Sequence, residues 1–223
     1  MRTLLATAAL TGVALISPAT AGAAPLCTDF GGTVSADQMC QVHVSNPQYL
    51  LDMVFPVNYP DTPRLSAYLN QTRDGFVNVA DMPGNRNLPY ALDVKSTRHS
   101  TGSTQSVVLE VYQNVGGAHP STWYKTFNYD TATRAPITFD NLFPTGSKPI
   151  EAIYPIVMKD LTQQLGQASI SPLSDGLDPT HYQNFVITDD ALIFYFGQGE
   201  LLPEAAGALQ SRVPRSAVPP LQL

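Results

Sequence analysis

Histidines are the first residues of this sequence to consider for chemistry, because an imidazole can act as a general base or a metal ligand near neutral pH. The chain has four, and they are scattered without the spacing of a metal-binding motif: His43, His99, His119 and His181. The sequence also contains no G-x-S-x-G nucleophile elbow and no Walker A or dinucleotide-binding loop. We therefore predict no catalytic residue, no metal site and no cofactor.

His119 lies in the stretch "VYQNVGGAHP" (residues 111–120), which allows two interpretations. It could be a general base presented on a glycine-rich loop, which requires an orienting acid nearby. Alternatively, Gly116 and Gly117 accept positive φ and Pro120 holds His119 in an extended conformation before the next strand. We favour the second interpretation, in which the stretch connects two strands.

Acidic residues offer no clearer catalytic pattern. Asp189-Asp190 falls between two apolar runs, where aspartate favours a turn by bonding to nearby backbone. Glu110 alternates with apolar neighbours in a strand and is predicted to face solvent. Glu200 and Glu204 flank an apolar segment and are predicted to be solvated charges.

Aromatic residues are the more promising surface feature. Trp123, Tyr124, Phe127 and Tyr129 alternate along one predicted strand, so the sheet carries aromatic side chains on both faces. One face must be core, and exposed tryptophan or tyrosine on the other suits a protein interface. The candidate binding residues are Gly116, Gly117, His119, Trp123 and Tyr124.

Short β-branched and aromatic runs provide the elements that position these residues. Strands separated by turn residues are predicted in three segments, "YALDVKSTRHS", "TQSVVLEVYQ" and "STWYKTFNYD". A later hairpin is predicted in "NFVITDDALIFYF", with its turn at residues 188–190.

Two segments change to helical periodicity. The first follows Asp61, with Pro63 in its first turn and an apolar stripe of Leu65, Leu69, Phe76 and Ala80. The second is predicted over about Pro149 to Leu165. Two helices between groups of strands favour an α+β fold with antiparallel sheets, forming a single domain.

The two cysteines, Cys27 and Cys40, are predicted to form a disulfide. In the chain-entropy model, closing a loop of this length stabilises the fold by about 3 kcal/mol. Metal ligation is the alternative, but His43 is the only nearby third ligand.

The N-terminus predicts export. Residues 1–23 combine Arg2, an apolar core from Leu4 to about Ile16 and a small-residue cleavage site, as in a secretory signal peptide. Residues 24–223 then form one secreted, extracellular domain, with no membrane insertion after cleavage. Loss of Arg2 changes the formal charge from −6 to −7. This acidic chain without a basic cluster argues against nucleic acid as a partner.

Several segments resemble a known family. The early cysteine pair, "VYQNVGGAHPSTWYKTFNYD", "GLDPTHYQNFVITDDALIFYF" and "GELLPEAAG" look like the secreted immunogenic antigens of mycobacteria used in tuberculosis diagnosis. More distantly, "GGAHP", "ITFDNLF" and "LLPEAAG" are similar to a domain of unknown function, over about residues 105–216. That domain also forms the extracellular part of an anti-sigma factor that binds lysozyme.

The resemblance implies a β-grasp-like arrangement and a secreted protein without enzymatic activity. We therefore expect a monomer that binds a host or cell-envelope protein. One alternative is a soluble module that binds lysozyme or the cell wall. Another is a hydrolase assembled only in the fold, which His119 or His181 within hydrogen-bond reach of a carboxylate would indicate.

Overall fold

A seven-stranded sheet forms the first half of the molecule. The computed structural model describes residues 23–167 and 169–223, so the predicted signal peptide lies outside the described residues except for Ala23. Each strand of the sheet is hydrogen-bonded to its neighbour in sequence. The strands are β1 (Thr33–Val34), β2 (Met39–Ser45), β3 (Tyr49–Pro56), β4 (Tyr90–Ser100), β5 (Thr104–Asn114), β6 (Ser121–Asp130) and β7 (Ala135–Ile137).

Strands β3 and β4 pair in parallel, from Tyr49↔Tyr90 to Met53↔Val94. The sequence predicted antiparallel sheets, and this pair is a correction to that prediction. Parallel neighbours need a long crossover connection, and helix α2 (Thr62–Ala80) supplies it. The predicted stripe of this helix is confirmed, because Leu65, Leu69, Phe76 and Ala80 are its buried residues.

The first core lies between α2 and the sheet, and its buried residues fall between Leu26 and Phe127. Helix α1 (Ala23–Asp29) is attached to it by the predicted disulfide. Cys27 and Cys40 are bonded with their Cα atoms 5.4 Å apart, and both side chains are buried. The disulfide therefore anchors the start of the described chain to β2.

The second core belongs to the later part of the chain, with buried residues between Ile137 and Val213. Helix α3 (Phe139–Leu142) and helix α4 (Pro149–Gln164) pack with a three-stranded antiparallel sheet. That sheet has the order β10-β9-β8, with β8 (Phe185–Ile187), β9 (Ala191–Phe196) and β10 (Leu209–Pro214). The predicted second helix and the predicted hairpin at residues 188–190 are confirmed.

A buried polar network joins the two sheets. The Asn128 amide on β6 donates to the Phe185 carbonyl at 2.8 Å and accepts from the Ser106 hydroxyl at 2.6 Å. The Phe185 N–H donates to the Thr126 hydroxyl at 3.0 Å. Because these groups are buried, their hydrogen bonds fix the position of β8 against the first sheet. A small apolar cluster fills the rest of the junction: Val108, Val186 and Tyr195.

The structure confirms an α+β fold. The β-grasp-like arrangement and the single-domain division stay predictions. None of the helices in the described part of the chain is both long enough and apolar enough to cross a membrane.

Candidate functional site

A serine and a histidine meet in the segment between α4 and β8. The Oγ of Ser174 lies 2.9 Å from Nε2 of His181. Ser174 is exposed in an irregular loop, and His181 belongs to a 3₁₀ turn, Pro179–Tyr182. Asp178 begins that turn by accepting a hydrogen bond from the Thr180 N–H at 2.9 Å. When the imidazole carries its proton on Nδ1, the serine hydroxyl donates to Nε2.

Three contacts hold this segment in place. The buried Tyr182 hydroxyl donates to the Gly176 carbonyl at 2.8 Å. Gly176 lies so close to α4 that an added Cβ would be 2.3 Å from Cε2 of Tyr154. The Leu173 N–H donates to the Leu201 carbonyl at 2.9 Å, which joins the segment to the loop after β9. The serine and the histidine therefore lie on a supported loop.

Two carboxyl groups lie within electrostatic range of His181. Burial raises the pKa of Glu200, while a hydrogen bond from the Gly197 N–H and the charge of His181 act in the opposite direction. The Glu200 carboxylate accepts that bond at 2.7 Å. The pKa of Asp178 is lowered mainly by its hydrogen bonds from Thr180, and also by His181. Both carboxylates therefore interact with His181 through their charge.

A serine hydroxyl bonded to an imidazole has a specific chemical capacity. The imidazole can take the hydroxyl proton, which turns a weak nucleophile into one able to attack an acyl carbon. A nearby carboxylate stabilises the imidazolium that forms. Ser174 and His181 have the residue types and the direct contact for this chemistry, and Glu200 acts on His181 through its charge.

His119 pairs with a carboxylate on the same loop after β9. Its Nε2 lies 3.0 Å from Oε2 of Glu204, and both side chains are more than half exposed. Gly116 has φ of 72°, and its N–H donates to the Asn114 side chain at 3.0 Å. The prediction that this stretch connects two strands is confirmed, since it joins β5 to β6. Glu204 is the acid that the general-base interpretation of His119 required.

The predicted aromatic residues lie on opposite faces of β6. The Trp123 Nε1–H donates to the Tyr68 hydroxyl at 2.8 Å, and the ring packs against the first core. The Tyr124 ring lies 5.2 Å from the Tyr195 ring at the junction of the two sheets. Trp123, Tyr124 and Gly116 are half-buried, whereas Gly117 is exposed. The binding role of these residues stays a prediction.

Two other acids that the sequence singled out lie at the surface. Glu110 is exposed on β5, and Asp190 lies in the β8–β9 turn beside the Arg212 guanidinium. Within residues 23–167 and 169–223, no group of three or more histidine, cysteine or acidic side chains is placed to hold a metal ion.

Sequence reasoning did not single out Ser174. Its loop has neither helical nor strand periodicity, and the nucleophile-elbow motif is absent from the chain. The one available signal was a serine seven residues before a histidine in a segment rich in aspartate, glycine and proline. That spacing becomes informative only when a 3₁₀ turn brings the two side chains together.

Three relatives are similar over most of their length. Esterase Rv3036c of Mycobacterium tuberculosis is 56% identical over 227 residues, which cover 100% of both chains. Immunogenic proteins MPT64 of Mycobacterium tuberculosis and MPB64 of Mycobacterium bovis are 45% identical over 212 residues, covering 93% of this chain and 90% of each relative. These findings confirm the resemblance to the mycobacterial immunogenic antigens.

The later part of the chain matches a broader family. The family described as protein of unknown function (DUF3298) matches residues 140–216. A solved DUF3298 structure from Pseudomonas aeruginosa PAO1 is similar with a TM-score of 0.54, covering 82% of this chain and 93% of that one. A second, from Bacteroides fragilis, has a TM-score of 0.51 over 83% and 92%. Both are 12% identical, so they show the fold alone.

The prediction that the chain is not an enzyme is wrong. A relative that is 56% identical over its full length is named an esterase, which points to an enzyme. The prediction failed because it depended on recognised catalytic motifs, and the chain contains none of those considered.

Proposed function

The chain belongs to the family of the mycobacterial immunogenic proteins MPT64 and MPB64 and of esterase Rv3036c, and from this membership we propose that it is an esterase. The observation that carries the proposal is the 2.9 Å contact between Ser174 Oγ and His181 Nε2. Its relationship to two immunogenic proteins also makes the chain antigen-like.

In the proposed reaction, Ser174 is the nucleophile and His181 is the general base. The hydroxyl proton moves to Nε2 of His181 while Oγ bonds to the ester carbonyl carbon. The tetrahedral intermediate then breaks its bond to the alcohol oxygen, and His181 returns the proton to that oxygen. Water attacks the acyl-enzyme with His181 again as base, which releases the carboxylic acid and restores Ser174.

Glu200 is the proposed acid that supports His181. Its carboxylate accepts a hydrogen bond from the Gly197 N–H and is partly buried. Partial burial lowers the local dielectric, so the charge acts more strongly on the imidazolium than it would in bulk water. Asp178 already accepts hydrogen bonds from Thr180 at the start of the 3₁₀ turn, so we assign it to that turn.

The test is hydrolysis of p-nitrophenyl acetate by the purified protein. We expect Ser174→Ala and His181→Ala to lower kcat/KM by about a thousandfold or more, because removing either member of a nucleophile–base pair disables the chemistry. A fluorophosphonate probe should label Ser174, as shown by peptide mass spectrometry. Label on another serine would overturn the assignment, and a wild-type protein inactive on esters of every chain length would overturn the function.

Matched variants control for indirect effects. Ser216→Ala removes an exposed serine on another 3₁₀ turn, and His43→Ala removes an exposed histidine that is 2.7 Å from Asp52. Both should retain wild-type activity. His119→Ala tests the other histidine with a carboxylate partner, and a loss equal to that of His181→Ala would transfer the role of base to His119.

We also propose that the chain is exported and acts outside the cytoplasm. The bonded pair Cys27 and Cys40 supports this, since disulfides persist in oxidising compartments. Expression of the full chain in a mycobacterial host should place the protein in the culture medium, with Ala24 as its N-terminal residue. Retention in the cytoplasm with both thiols reduced would contradict the proposal. Binding to a host or envelope protein stays a prediction.

A further inference from the structure

A largely apolar cavity of about 290 Å³ is lined by residues of the loop after α4 and of the loop after β9. Aliphatic side chains from both loops form most of its wall: Leu165, Ile170, Leu202, Ala205 and Ala206. No ionisable side chain lines it, so the cavity suits a hydrocarbon group rather than a charged one. Gln167, Ser169, Ser171 and Pro203 complete the lining.

The cavity and Ser174 share the same two loops. Ser171 lines the cavity and lies three residues before Ser174, so their Cα atoms are at most about 11 Å apart. Leu202 lines the cavity next to Leu201, whose carbonyl accepts the hydrogen bond from the Leu173 N–H. The nucleophile and the cavity therefore flank one backbone contact.

Exposed leucines border the nucleophile. Leu173 is 54% exposed and Leu177 is 47% exposed, and both lie within three residues of Ser174. Most large apolar side chains of the described chain are buried, so two exposed leucines at this position form an apolar rim. A hydrocarbon chain attached to a carbonyl at Ser174 could pass over this rim.

We propose that the cavity binds the acyl chain of the ester substrate, and that the substrates are esters of short to medium-chain fatty acids. This proposal rests on the proposed esterase function. A volume of 290 Å³ holds roughly ten groups of the size of water, at about 30 Å³ each, and a methylene group is of similar size. Acyl chains of up to about eight carbons therefore fit.

The first test is a chain-length series of p-nitrophenyl esters from acetate to laurate. Each methylene that enters an apolar pocket raises kcat/KM by tenfold or more at best. We expect kcat/KM to rise from acetate to hexanoate or octanoate and to fall at laurate. A profile that is highest at acetate and declines steadily would overturn the proposal.

Two substitutions change the cavity in opposite directions. Ala206→Leu fills part of it and should move the preferred chain length down, lowering the octanoate-to-acetate ratio of kcat/KM by about tenfold. Ile170→Ala enlarges it and should move the preferred length up. Ala132→Leu, in the exposed β6–β7 turn, should leave the profile unchanged. Thermal unfolding of each variant separates a changed profile from a loss of folded protein.

The outcomes distinguish this inference from the proposed function. If acetate is hydrolysed with dependence on Ser174 but the profiles of Ala206→Leu and Ile170→Ala match the wild type, the acyl site is wrong and the esterase proposal stands. If no ester is hydrolysed, both fail. Because the two variants are expected to shift the profile in opposite directions, general destabilisation cannot imitate the result.

Discussion

At the scale of single residues, the ionised carboxyl group of Glu200 lowers the stability of the fold. It is half-buried, and burial raises its pKa above the ordinary value of 4.5. A carboxyl group with a raised pKa in the folded state disfavours folding once it is ionised, and the effect vanishes below the unfolded pKa. The same half-buried charge is the one that we propose supports the imidazolium of His181.

Glu200→Gln should therefore stabilise the protein while impairing it as an enzyme. We expect a higher Tm than wild type at pH 7, with the difference shrinking as the pH falls and vanishing well below 4.5, where the wild-type carboxyl is protonated in both states. The glutamine oxygen can still accept from the Gly197 N–H. Ester hydrolysis should fall about tenfold or more because the imidazolium loses its counter-charge. Thermal unfolding across pH and p-nitrophenyl acetate kinetics measure the two effects, and unchanged activity would contradict the role of Glu200.

The residues of the site were the hardest part to predict from the sequence. His181 was examined as one of four scattered histidines, and Ser174 was not considered, because irregular loops have no periodicity that predicts contacts. The prediction that Glu200 and Glu204 are solvated charges holds for Glu204, which is exposed beside His119, but Glu200 is half-buried. Pairings between loops depend on tertiary structure that local sequence does not encode.

At the scale of elements, the loop from residue 171 to 178 depends on its contact with α4. Gly176 fits against the Tyr154 ring only because it has no side chain. Its carbonyl also accepts a hydrogen bond from the Tyr182 hydroxyl. This glycine therefore sets the distance between the loop that carries Ser174 and the helix behind it.

Gly176→Ala should displace the loop. The added Cβ would lie 2.3 Å from Cε2 of Tyr154, so the ring or the loop must move, at a cost of about 1–3 kcal/mol. Hydrolysis should fall by more than the loss of stability explains, since Ser174 moves relative to His181. Removing the obstruction in the double variant Gly176→Ala/Tyr154→Ala should recover part of the activity. Equal activity in all these proteins would show that the contact does not position the pair.

The disulfide acts on a different part of the fold. Replacing both Cys27 and Cys40 by alanine should lower the free energy of unfolding by about 3 kcal/mol. Without the cross-link, whose cysteines are 13 residues apart, the unfolded chain has more conformational entropy. Urea denaturation measures this change. Activity per folded molecule should stay at the wild-type level, since the disulfide belongs to the first core and the Ser174–His181 pair lies beside the second. A selective loss of activity would contradict that separation.

Elements with clear periodicity were predicted well. The apolar stripe of α2 and the alternating runs of β4, β5 and β6 depend on local patterns that the fold preserves. The parallel pairing of β3 with β4 was not predicted, because a strand pattern contains no information about the direction of its neighbour.

At the scale of the whole molecule, two cores share one polar junction. Asn128 is 3% exposed, and its amide joins β5, β6 and β8 through Ser106 and the Phe185 carbonyl. A buried amide with both ends bonded specifies one alignment of the sheets, and neither bond can be replaced by water without opening the junction.

Asn128→Leu should weaken the whole fold. The substitution keeps a similar volume but leaves the Phe185 carbonyl and the Ser106 hydroxyl without partners, at a cost of about 2–5 kcal/mol. Guanidinium denaturation should show a lower midpoint. Asn58→Leu, on an exposed position, serves as the control and should change the midpoint little. A midpoint for Asn128→Leu equal to that of the control would show that the junction contributes nothing to stability.

The separation of the two cores along the chain has a consequence for the order of assembly. The first core uses buried residues up to Phe127, and the second begins at Ile137. Every strand of the large sheet pairs with its neighbour in sequence, so a growing chain can complete that sheet before the rest is made. Ser174, His181 and Glu200 all come later. A partly synthesised chain can thus be folded over its first half while it still lacks every group that we assign to ester hydrolysis.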